Sequence, residues 1–341
     1  MTTVLQAPFP YFGGKSRIAA AVWARLGDVP NYVEPFFGSG AALLARPHAP
    51  GIETVNDADG MVSNFWRATQ ADPDAVAHHA DWPVNENDLH ARHYWLVMQK
   101  ESLQARLEGD PDFYDAKIAG WWCWGMCCWI GGGFCAGRGP WRVEDGRLVK
   151  GDAGRGVQRQ RVHLSDAGMG VQRGGQNVYD WMRALSERLR RARVCCGDWT
   201  RVCGPAVTVA HGLTGVFLDP PYADTAGRDS DLYAVDSETV AHAAREWAIA
   251  NGDNPKMRIA LCGYEGEHVM PTTWECVAWK TSGGYAKLGN GAGRENAHRE
   301  RIWFSPHCLR GTRQATLERD GRDSDPLPDA LIEALKEGKN E

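Results

Sequence analysis

The chain has 341 residues, of which 43% are hydrophobic and 24% are charged, and its formal net charge is −5. This is the composition of a globular protein that is long enough to bury a core without a metal or a disulfide. The N-terminal segment lacks the basic and apolar regions of a signal peptide, and the longest apolar run, 121–134, is too short for a membrane span. We therefore expect a cytoplasmic protein with no membrane association.

Short apolar runs predict β-strands at 31–34, 53–56, 193–196, 215–218, 257–262, 275–279 and 301–304. Helical patterns occupy 41–45 and 238–250, and helical spacing extends from about residue 85 through the tryptophan-rich stretch 121–129. The tryptophans of that stretch surround a helix, which favours packing in a core over stacking on bases. Strands that alternate with helices predict an α/β fold with a doubly wound, mostly parallel, Rossmann-like sheet.

A basic block lies within this acidic protein. Between Arg138 and Arg193 the chain has 13 Lys and Arg against 6 Asp and Glu. Such a block fits a polyanionic partner, and a solvated arginine-rich surface explains the charge equally well. Residues 137–175 lack periodicity and predict an irregular insertion, and the acidic segment 311–341, with one helical pattern at 329–336, predicts a flexible tail.

The ten cysteines include no CxxC pair, and four of them lie in or beside the apolar stretch 121–134. Buried free thiols in a reducing compartment fit this distribution best, with a zinc site as the minor alternative. No metal is therefore expected in the functional site.

A glycine turn, Gly38-Ser39-Gly40, separates the first predicted strand from the first predicted helix. Such a turn lets the backbone approach a ligand and directs helix N–H groups at it. The third glycine of the dinucleotide-binding fingerprint would fall where Leu43 stands, so a nicotinamide cofactor is disfavoured. Gly14-Lys15-Ser16 ends like a P-loop, but Phe9 replaces the first glycine of that motif. Asp57 ends the second strand, where a carboxylate can bind the ribose hydroxyls of an adenosine-containing cofactor.

The tetrapeptide Asp219-Pro220-Pro221-Tyr222 directly follows the predicted strand at 215–218. Open parallel sheets bind their ligands beyond the carboxyl ends of the strands, which is where this tetrapeptide lies. The two prolines restrict the backbone, so an acid and an aromatic ring are held rigidly at the mouth of a pocket. A purely structural turn is the lesser alternative.

These motifs, in this order, resemble those of the DNA adenine-N6 methyltransferases of the Dam-like (D12 class) family. The resemblance rests on the segments 10–15, 33–40, 56–57, 197–199 and 219–222, and it spans roughly residues 6–75 and 193–305. One departure concerns DNA recognition. The family commonly has an Asn-Gly…Arg-x-Asn stretch where this chain has the glycine-rich segment 130–138, so the recognition contacts do not carry over.

The resemblance implies S-adenosylmethionine as the cofactor. Tyr11 and Lys15 would approach its methionine end, with Lys15 near the carboxylate. Asp57 would bind the ribose hydroxyls, and Asp198 with Trp199 would hold the adenine ring. The loop after the first strand would wrap the cofactor through Glu34, Pro35, Phe36, Gly38 and Gly40.

The resemblance also implies direct methyl transfer to N6 of adenine at Asp219, Pro220, Pro221 and Tyr222. The Asp219 carboxylate and the Pro220 carbonyl would accept the two amine hydrogens, so that the nitrogen lone pair points at the sulfonium methyl group. Tyr222 would stack on the base. Neither a metal nor a covalent intermediate is required, and the target base must leave the double helix.

The implied organisation is a catalytic methyltransferase domain formed by 1–84 and 193–310, with a target-recognition region at 85–192 inserted in it and the tail after it. Double-stranded DNA is the implied partner. The arginines expected at the DNA are assigned as a group: Arg138, Arg142, Arg155, Arg159, Arg161 and Arg173. Arg294, in the glycine-rich loop at 282–298, is a further candidate, and that loop fits a plain surface connection equally well.

Three other functions stay open at this point. A cytosine-N4 DNA methyltransferase shares the amine chemistry, but it usually has serine in place of Asp219. A catalytically silent DNA-binding relative is the second alternative, and a methyltransferase of RNA or small molecules is the third. The sequence fits a bacterial or phage-encoded protein and does not decide the DNA sequence recognised, the oligomeric state or a restriction partner.

Overall fold

A computed structural model of the chain describes residues 5–11, 15–129, 134–135, 141–144, 147–150, 177–222, 238–279 and 299–310. Among these residues no helix is both long and apolar enough to cross a lipid bilayer. The predicted tail at 311–341 and the loop at 282–298 lie outside the described residues. The same is true of most of the region predicted to be irregular, 137–175.

The described strands include every strand predicted from the sequence, with ends within two residues of the prediction. They are β1 (Asn31–Glu34), β2 (Ile52–Asp57), β3 (Trp141–Glu144), β4 (Arg147–Lys150), β5 (Ala192–Cys196), β6 (Thr214–Leu218), β7 (Met257–Tyr264), β8 (Glu275–Ala278) and β9 (Glu300–Phe304). Seven of them form one sheet in the order β5-β2-β1-β6-β7-β9-β8. Neighbouring strands in it are parallel, except that β9 runs antiparallel to β7 and β8. The predicted α/β class with a mostly parallel sheet is confirmed.

Eight α-helices connect and cover these strands in the described part of the chain. They are α1 (Ala19–Leu26), α2 (Ala41–Leu44), α3 (Gly60–Ala71), α4 (Pro73–Ala80), α5 (Glu86–Gly109), α6 (Ala116–Cys128), α7 (Val178–Leu189) and α8 (Glu238–Gly252). Several begin at an Asp or Asn whose side chain accepts a hydrogen bond from a first-turn N–H group, as Asp59, Asn85, Asp115 and Asn177 do. These caps satisfy N–H groups that have no partner within the helix, and they set where each helix starts.

The sheet carries a separate hydrophobic core on each face, because successive side chains of a strand point to opposite sides. Tyr32 and Phe217 belong to the larger core, which includes buried side chains of helices α1 to α7. Val33 and Val216 belong to the smaller core with residues of α8. Both faces of the central strands are therefore covered, which is why the apolar residues of β6 and β7 are consecutive rather than alternating.

A β-hairpin occupies part of the region that the sequence predicted to be irregular. Strands β3 and β4 pair in an antiparallel register that places Arg142 opposite Val149. The prediction is therefore wrong for 141–144 and 147–150. The overlooked signal is the dipeptide Asp145-Gly146, since Asp-Gly is strongly preferred in two-residue hairpin turns.

The tryptophan-rich helix α6 packs within the protein, as predicted. Trp122, Trp124 and Trp129 are buried, and α6 contacts both α3 and α4. The ring of Trp124 also lies 4.5 Å from the guanidinium carbon of Arg92, a buried cation–π contact. All ten cysteines are free thiols, and all but Cys195 and Cys276 are buried.

Candidate functional site

A cleft of about 950 Å³ lies where β1, β2, β5 and β6 end. In the sheet, β2 lies on one side of β1 and β6 lies on the other side, so the strand order reverses at β1. Open α/β sheets bind ligands at such a reversal of strand order. The lining residues that the sequence assigned are Tyr11, Lys15, Glu34, Pro35, Phe36, Gly38, Asp57, Asp198, Trp199, Asp219 and Pro221. Gly40, Pro220 and Tyr222 are not among the lining residues.

The loop after β1 can follow its path only because of its two glycines. Gly38 has φ +48°, and a Cβ atom there would lie 2.7 Å from Cε1 of Tyr11. Gly40 has φ +67° at the N-cap of α2, and its Cβ would lie 2.8 Å from Cζ of Phe37. Both φ values favour glycine, and both positions lack room for a side chain. Gly40 therefore shapes the loop without lining the cleft, whereas Gly38 does line it.

Asp57 fastens this loop to the end of β2. Its Oδ2 accepts a hydrogen bond of 2.8 Å from the N–H group of Gly38, and its Oδ1 accepts one of 2.9 Å from that of Asp59. Burial raises the pKa of Asp57 to about 7, against the opposing effect of these two hydrogen bonds. Since each carboxylate oxygen can accept a second hydrogen bond, the group retains capacity for a diol.

Cofactor affinity is expected to depend on the ionisation of Asp57. An ionised carboxylate accepts both hydroxyls of a ribose, and protonation removes part of that capacity, so affinity should increase as the pH rises through about 7. Between pH 6 and pH 8 we expect Kd for S-adenosylmethionine to fall about tenfold, as measured by titration calorimetry at constant ionic strength. Asp57→Asn should bind more weakly at all pH values and lack this dependence. An equal pH dependence in the variant would assign it to another group.

Asn56 holds the ends of three segments together below the cleft. Its Nδ2 donates to the carbonyl of Pro35 at 3.1 Å and to the carbonyl of Gly197 at 3.0 Å. The backbone carbonyl of Asn56 accepts a hydrogen bond of 2.9 Å from the N–H group of Phe37. The loops after β1 and β5 are thus fixed to the end of β2, which supports the shape of the cleft.

Two aromatic side chains face each other near the loop after β5. The rings of Phe36 and Trp199 have centroids 5.6 Å apart and planes inclined by 33°. The neighbouring Asp198 is exposed and accepts a hydrogen bond of 2.9 Å from the N–H group of Thr200, which starts a short 3₁₀ turn. This end of the cleft therefore offers apolar ring faces and one carboxylate, a combination that suits an aminopurine.

Asp219 lies just beyond β6 and pairs with Lys15. The Nζ atom of Lys15 is 2.9 Å from Oδ1 of Asp219, and the lysine side chain is only 3% exposed. The hydroxyl of Tyr222 lies 3.3 Å from the same oxygen. Burial raises the pKa of Asp219, while Lys15 and Tyr222 act to lower it. Both partners contact Oδ1, so in the described part of the chain Oδ2 is the oxygen left for a substrate.

Tyr222 is buried beside this pair. Its ring packs edge-on against Tyr264 with centroids 4.6 Å apart, and its hydroxyl lies 2.8 Å from Oε2 of Glu300. The Nζ atom of Lys15 is 5.2 Å from the centre of the Tyr222 ring. Stacking of Tyr222 on a base stays a prediction. The structure adds contacts to Glu300 and Lys15 that the sequence did not reveal.

Glu34, at the end of β1, is a buried acid. It is 2% exposed and accepts a hydrogen bond of 2.8 Å from the hydroxyl of Tyr32. Burial raises the pKa of Glu34 well above its ordinary value. Burial thus works against the ionised form of this carboxyl group, whereas the hydrogen bond from Tyr32 favours that form.

Some lining residues were missed by the sequence reasoning: Phe37, Ser39, Ala41, Ala42, Asn56, Ala58, Asp59, Phe217 and Val240. Most belong to the segments already singled out and could have been included with them. Phe217 precedes Asp219 by two positions, so strand alternation could have indicated it. Val240 comes from α8, and only the packing of that helix brings it to the cleft.

The predicted DNA-contacting arginines lie almost entirely outside the described residues. Those not described are Arg138, Arg155, Arg159, Arg161, Arg173 and Arg294. Arg142 belongs to β3, in the hairpin. Their contact with DNA stays a prediction.

Comparison with known families gives a match to part of the chain. Residues 11–108 match the family model described as D12 class N6 adenine-specific DNA methyltransferase. The matched segment contains Tyr11, Lys15, the glycine loop and Asp57, whereas Asp219 lies beyond it. The search among curated proteins returned no match. The match confirms the resemblance seen in the motifs, and it supports adenine-N6 methylation of DNA as the activity.

Proposed function

Since residues 11–108 carry the features of the D12 class N6 adenine-specific DNA methyltransferases, we propose that this enzyme takes its methyl group from S-adenosylmethionine and transfers it to a flipped adenine. The observation that carries the proposal is the position of Asp219. Its carboxyl group lines the same cleft as Asp57 and the glycine loop, and one of its oxygens is already held by Lys15.

The residues of the cleft fit this cofactor. Asp57 supplies a carboxylate for a diol, the Phe36–Trp199 pair supplies apolar faces for an adenine ring, and Gly38 lines the cleft without a side chain. The remaining residues proposed to hold it are Tyr11, Lys15, Glu34, Pro35 and Asp198, with Gly40 shaping the loop. S-adenosylmethionine, when bound, supplies an electrophilic methyl group on a sulfonium. The contact of Lys15 with Asp219 supports a position for Lys15 at the reacting end of the cleft.

Asp219 and Pro220 would prepare the amine for attack. The lone pair of an exocyclic amine is delocalised into the purine ring, so the free amine is a poor nucleophile. Hydrogen bonds from its two hydrogens to Oδ2 of Asp219 and to the carbonyl of Pro220 favour a tetrahedral nitrogen, whose lone pair then points at the methyl group. The amine nitrogen would form its bond to the methyl carbon as the C–S bond breaks, which leaves a neutral thioether. The proton lost by the amine would pass to Oδ2 of Asp219, its hydrogen-bond acceptor.

The target adenine must reach the cleft from outside, because N6 is paired within duplex DNA. Extruding a base costs roughly a few kcal/mol, which contacts to phosphates can offset. The basic block between Arg138 and Arg193 supplies charge for such contacts. We therefore propose that it binds the double-stranded DNA around the extruded base, with binding that weakens as salt concentration rises.

Product analysis tests this function. The purified protein is incubated with radiolabelled S-adenosylmethionine and unmethylated genomic DNA, and the DNA is hydrolysed to nucleosides for mass analysis. N6-methyladenine is the expected product. N4-methylcytosine would contradict the acceptor and retain the chemistry, and DNA binding without label would favour a silent relative. Label only in added RNA or small molecules would overturn DNA as the substrate.

A further inference from the structure

Two buried side chains, those of Glu300 and Tyr222, form a hydrogen-bond chain that ends at the carboxyl group of Asp219, which is 17% exposed. The hydroxyl oxygen of Tyr222 lies 2.8 Å from Oε2 of Glu300 and 3.3 Å from Oδ1 of Asp219. Glu300, the first residue of β9, is 6% exposed and was not singled out from the sequence. We infer that Glu300 is a positioning residue that carries a proton and acts through Tyr222 to hold Asp219 as an anion. This inference rests on the proposed function of Asp219.

The count of hydrogens requires a proton on one of the two carboxyl groups. A phenolic hydroxyl has one hydrogen, so Tyr222 can donate to only one carboxyl group at a time. The second contact is a hydrogen bond only if that carboxyl group is itself protonated and donates to the phenolic oxygen. Two ionised carboxylates would leave one contact as a repulsion between lone pairs in a buried site.

The surrounding charges place that proton on Glu300. The ammonium group of Lys15 contacts Oδ1 of Asp219 at 2.9 Å, which favours the ionised form of Asp219. In the resulting hydrogen-bond chain, the protonated Oε2 of Glu300 donates to the Tyr222 oxygen, and the Tyr222 hydroxyl donates to Oδ1 of Asp219. Lys15 and Tyr222 thus both donate to Oδ1, and Oδ2 stays available to the substrate amine.

The groups that face Glu300 agree with this assignment. Burial raises the pKa of Glu300, and the negative charges of Asp219 and Glu267 raise it further, against the opposing effects of Lys15 and Tyr222. Among the other described groups around Glu300, Nη1 of Arg301 donates to its backbone carbonyl at 2.9 Å, and Tyr264 is its register partner on β7. Burial also raises the pKa of the Cys262 thiol on β7 well above its ordinary value. That thiol is therefore neutral.

Loss of the Glu300 proton should slow methyl transfer. Once Glu300 ionises, the Tyr222 hydrogen turns toward it, and Oδ1 of Asp219 loses one of its two donors. The value of kcat should therefore decrease at the alkaline end of its pH profile. Glu300→Gln supplies an N–H group to Tyr222 at every pH, so the hydrogen-bond chain should persist and should not titrate.

The experiment compares pH profiles of kcat for the wild type, Glu300→Gln, Glu300→Ala and Tyr222→Phe. Glu300→Gln should lower kcat at neutral pH by about threefold or less and lose the alkaline fall. Glu300→Ala and Tyr222→Phe should lower kcat by about tenfold or more with little change in KM for the cofactor. Glu265→Gln is the matched control, since Glu265 is 63% exposed and pairs with Arg301. An unchanged alkaline fall in Glu300→Gln would overturn the inference.

A second measurement does not depend on methyl transfer. A protonated carboxylic acid has an infrared carbonyl band that a carboxylate lacks. The difference spectrum between the wild type and Glu300→Gln at neutral pH should contain that band, and the Glu265→Gln difference spectrum should not. Its absence would show that Glu300 is ionised and would overturn the inference. Failure of the wild type to methylate DNA would overturn the proposed function and leave this test of the Glu300 proton standing.

Discussion

Replacing Asp219 with asparagine is expected to lower kcat for methyl transfer to DNA by about a hundredfold or more. Asparagine keeps the size of the side chain, but it removes the negative charge that stabilises the developing positive charge on the amine. Asp219→Ala should lower kcat further, because no side-chain acceptor remains and only the carbonyl of Pro220 is left for the amine. The measurement is single-turnover transfer of a labelled methyl group from S-adenosylmethionine to DNA.

Cofactor binding provides the control for this prediction. Asp57 and the Phe36–Trp199 pair do not depend on Asp219, so we expect Kd for the cofactor to change by about threefold or less. Asp253→Asn, an exposed acid in the turn after α8, should have wild-type kcat. Near-normal turnover by Asp219→Asn would contradict the role of Asp219, and loss of cofactor binding would assign this residue to the cofactor site instead.

Replacing Glu53 with alanine is expected to cause the largest loss of stability, about 3–5 kcal/mol in the free energy of unfolding. The Glu53 side chain is fully buried in β2, and its carboxylate lies between two arginines. Arg46 contacts it at 3.1 Å and Arg188, from α7, at 2.7 Å. Alanine would leave two largely buried guanidinium groups without the buried carboxylate that they share, and Arg46 would keep only its longer contact of 3.6 Å with the exposed Asp28. Urea unfolding monitored by circular dichroism measures the change.

An exposed ion pair is the matched control for Glu53. Asp74 and Arg183 contact at 2.7 Å, as closely as the buried pair, but both side chains are 55% exposed. Because water screens such a pair, Asp74→Ala should leave the unfolding midpoint nearly unchanged. Equal effects of the two substitutions would show that burial does not govern these ion pairs. The loss of stability in Glu53→Gln, which keeps hydrogen bonds to both arginines, should lie between those of Glu53→Ala and Asp74→Ala.

The strands and the main helices could be predicted because their signals are local. Val216 lies in a run of apolar residues, which is typical of a covered parallel strand, and Gly38 and Gly40 mark the turn that only glycine allows. The hairpin at 141–150 was missed because its turn signal was overlooked, although it was present in the sequence. Tertiary contacts played no part in these results, since each depends on residues a few positions apart.

The partners of the site residues depend on the order of the strands instead. Asp57 and Asp219 could be assigned to one cleft, because both end parallel strands and such ends meet at one edge of the sheet. That Lys15 contacts Asp219 depends on how the segment before α1 packs against the end of β6. That Glu300 reaches Tyr222 follows only once β9 inserts between β7 and β8 and brings Glu300 to the same edge. The sequence by itself thus determined the fold class, the family motifs and the position of the cleft, because periodicity, glycine turns and strand ends are encoded locally. Only the tertiary structure decided which acids of the site share a hydrogen-bond donor, because that depends on distances between segments far apart in the chain.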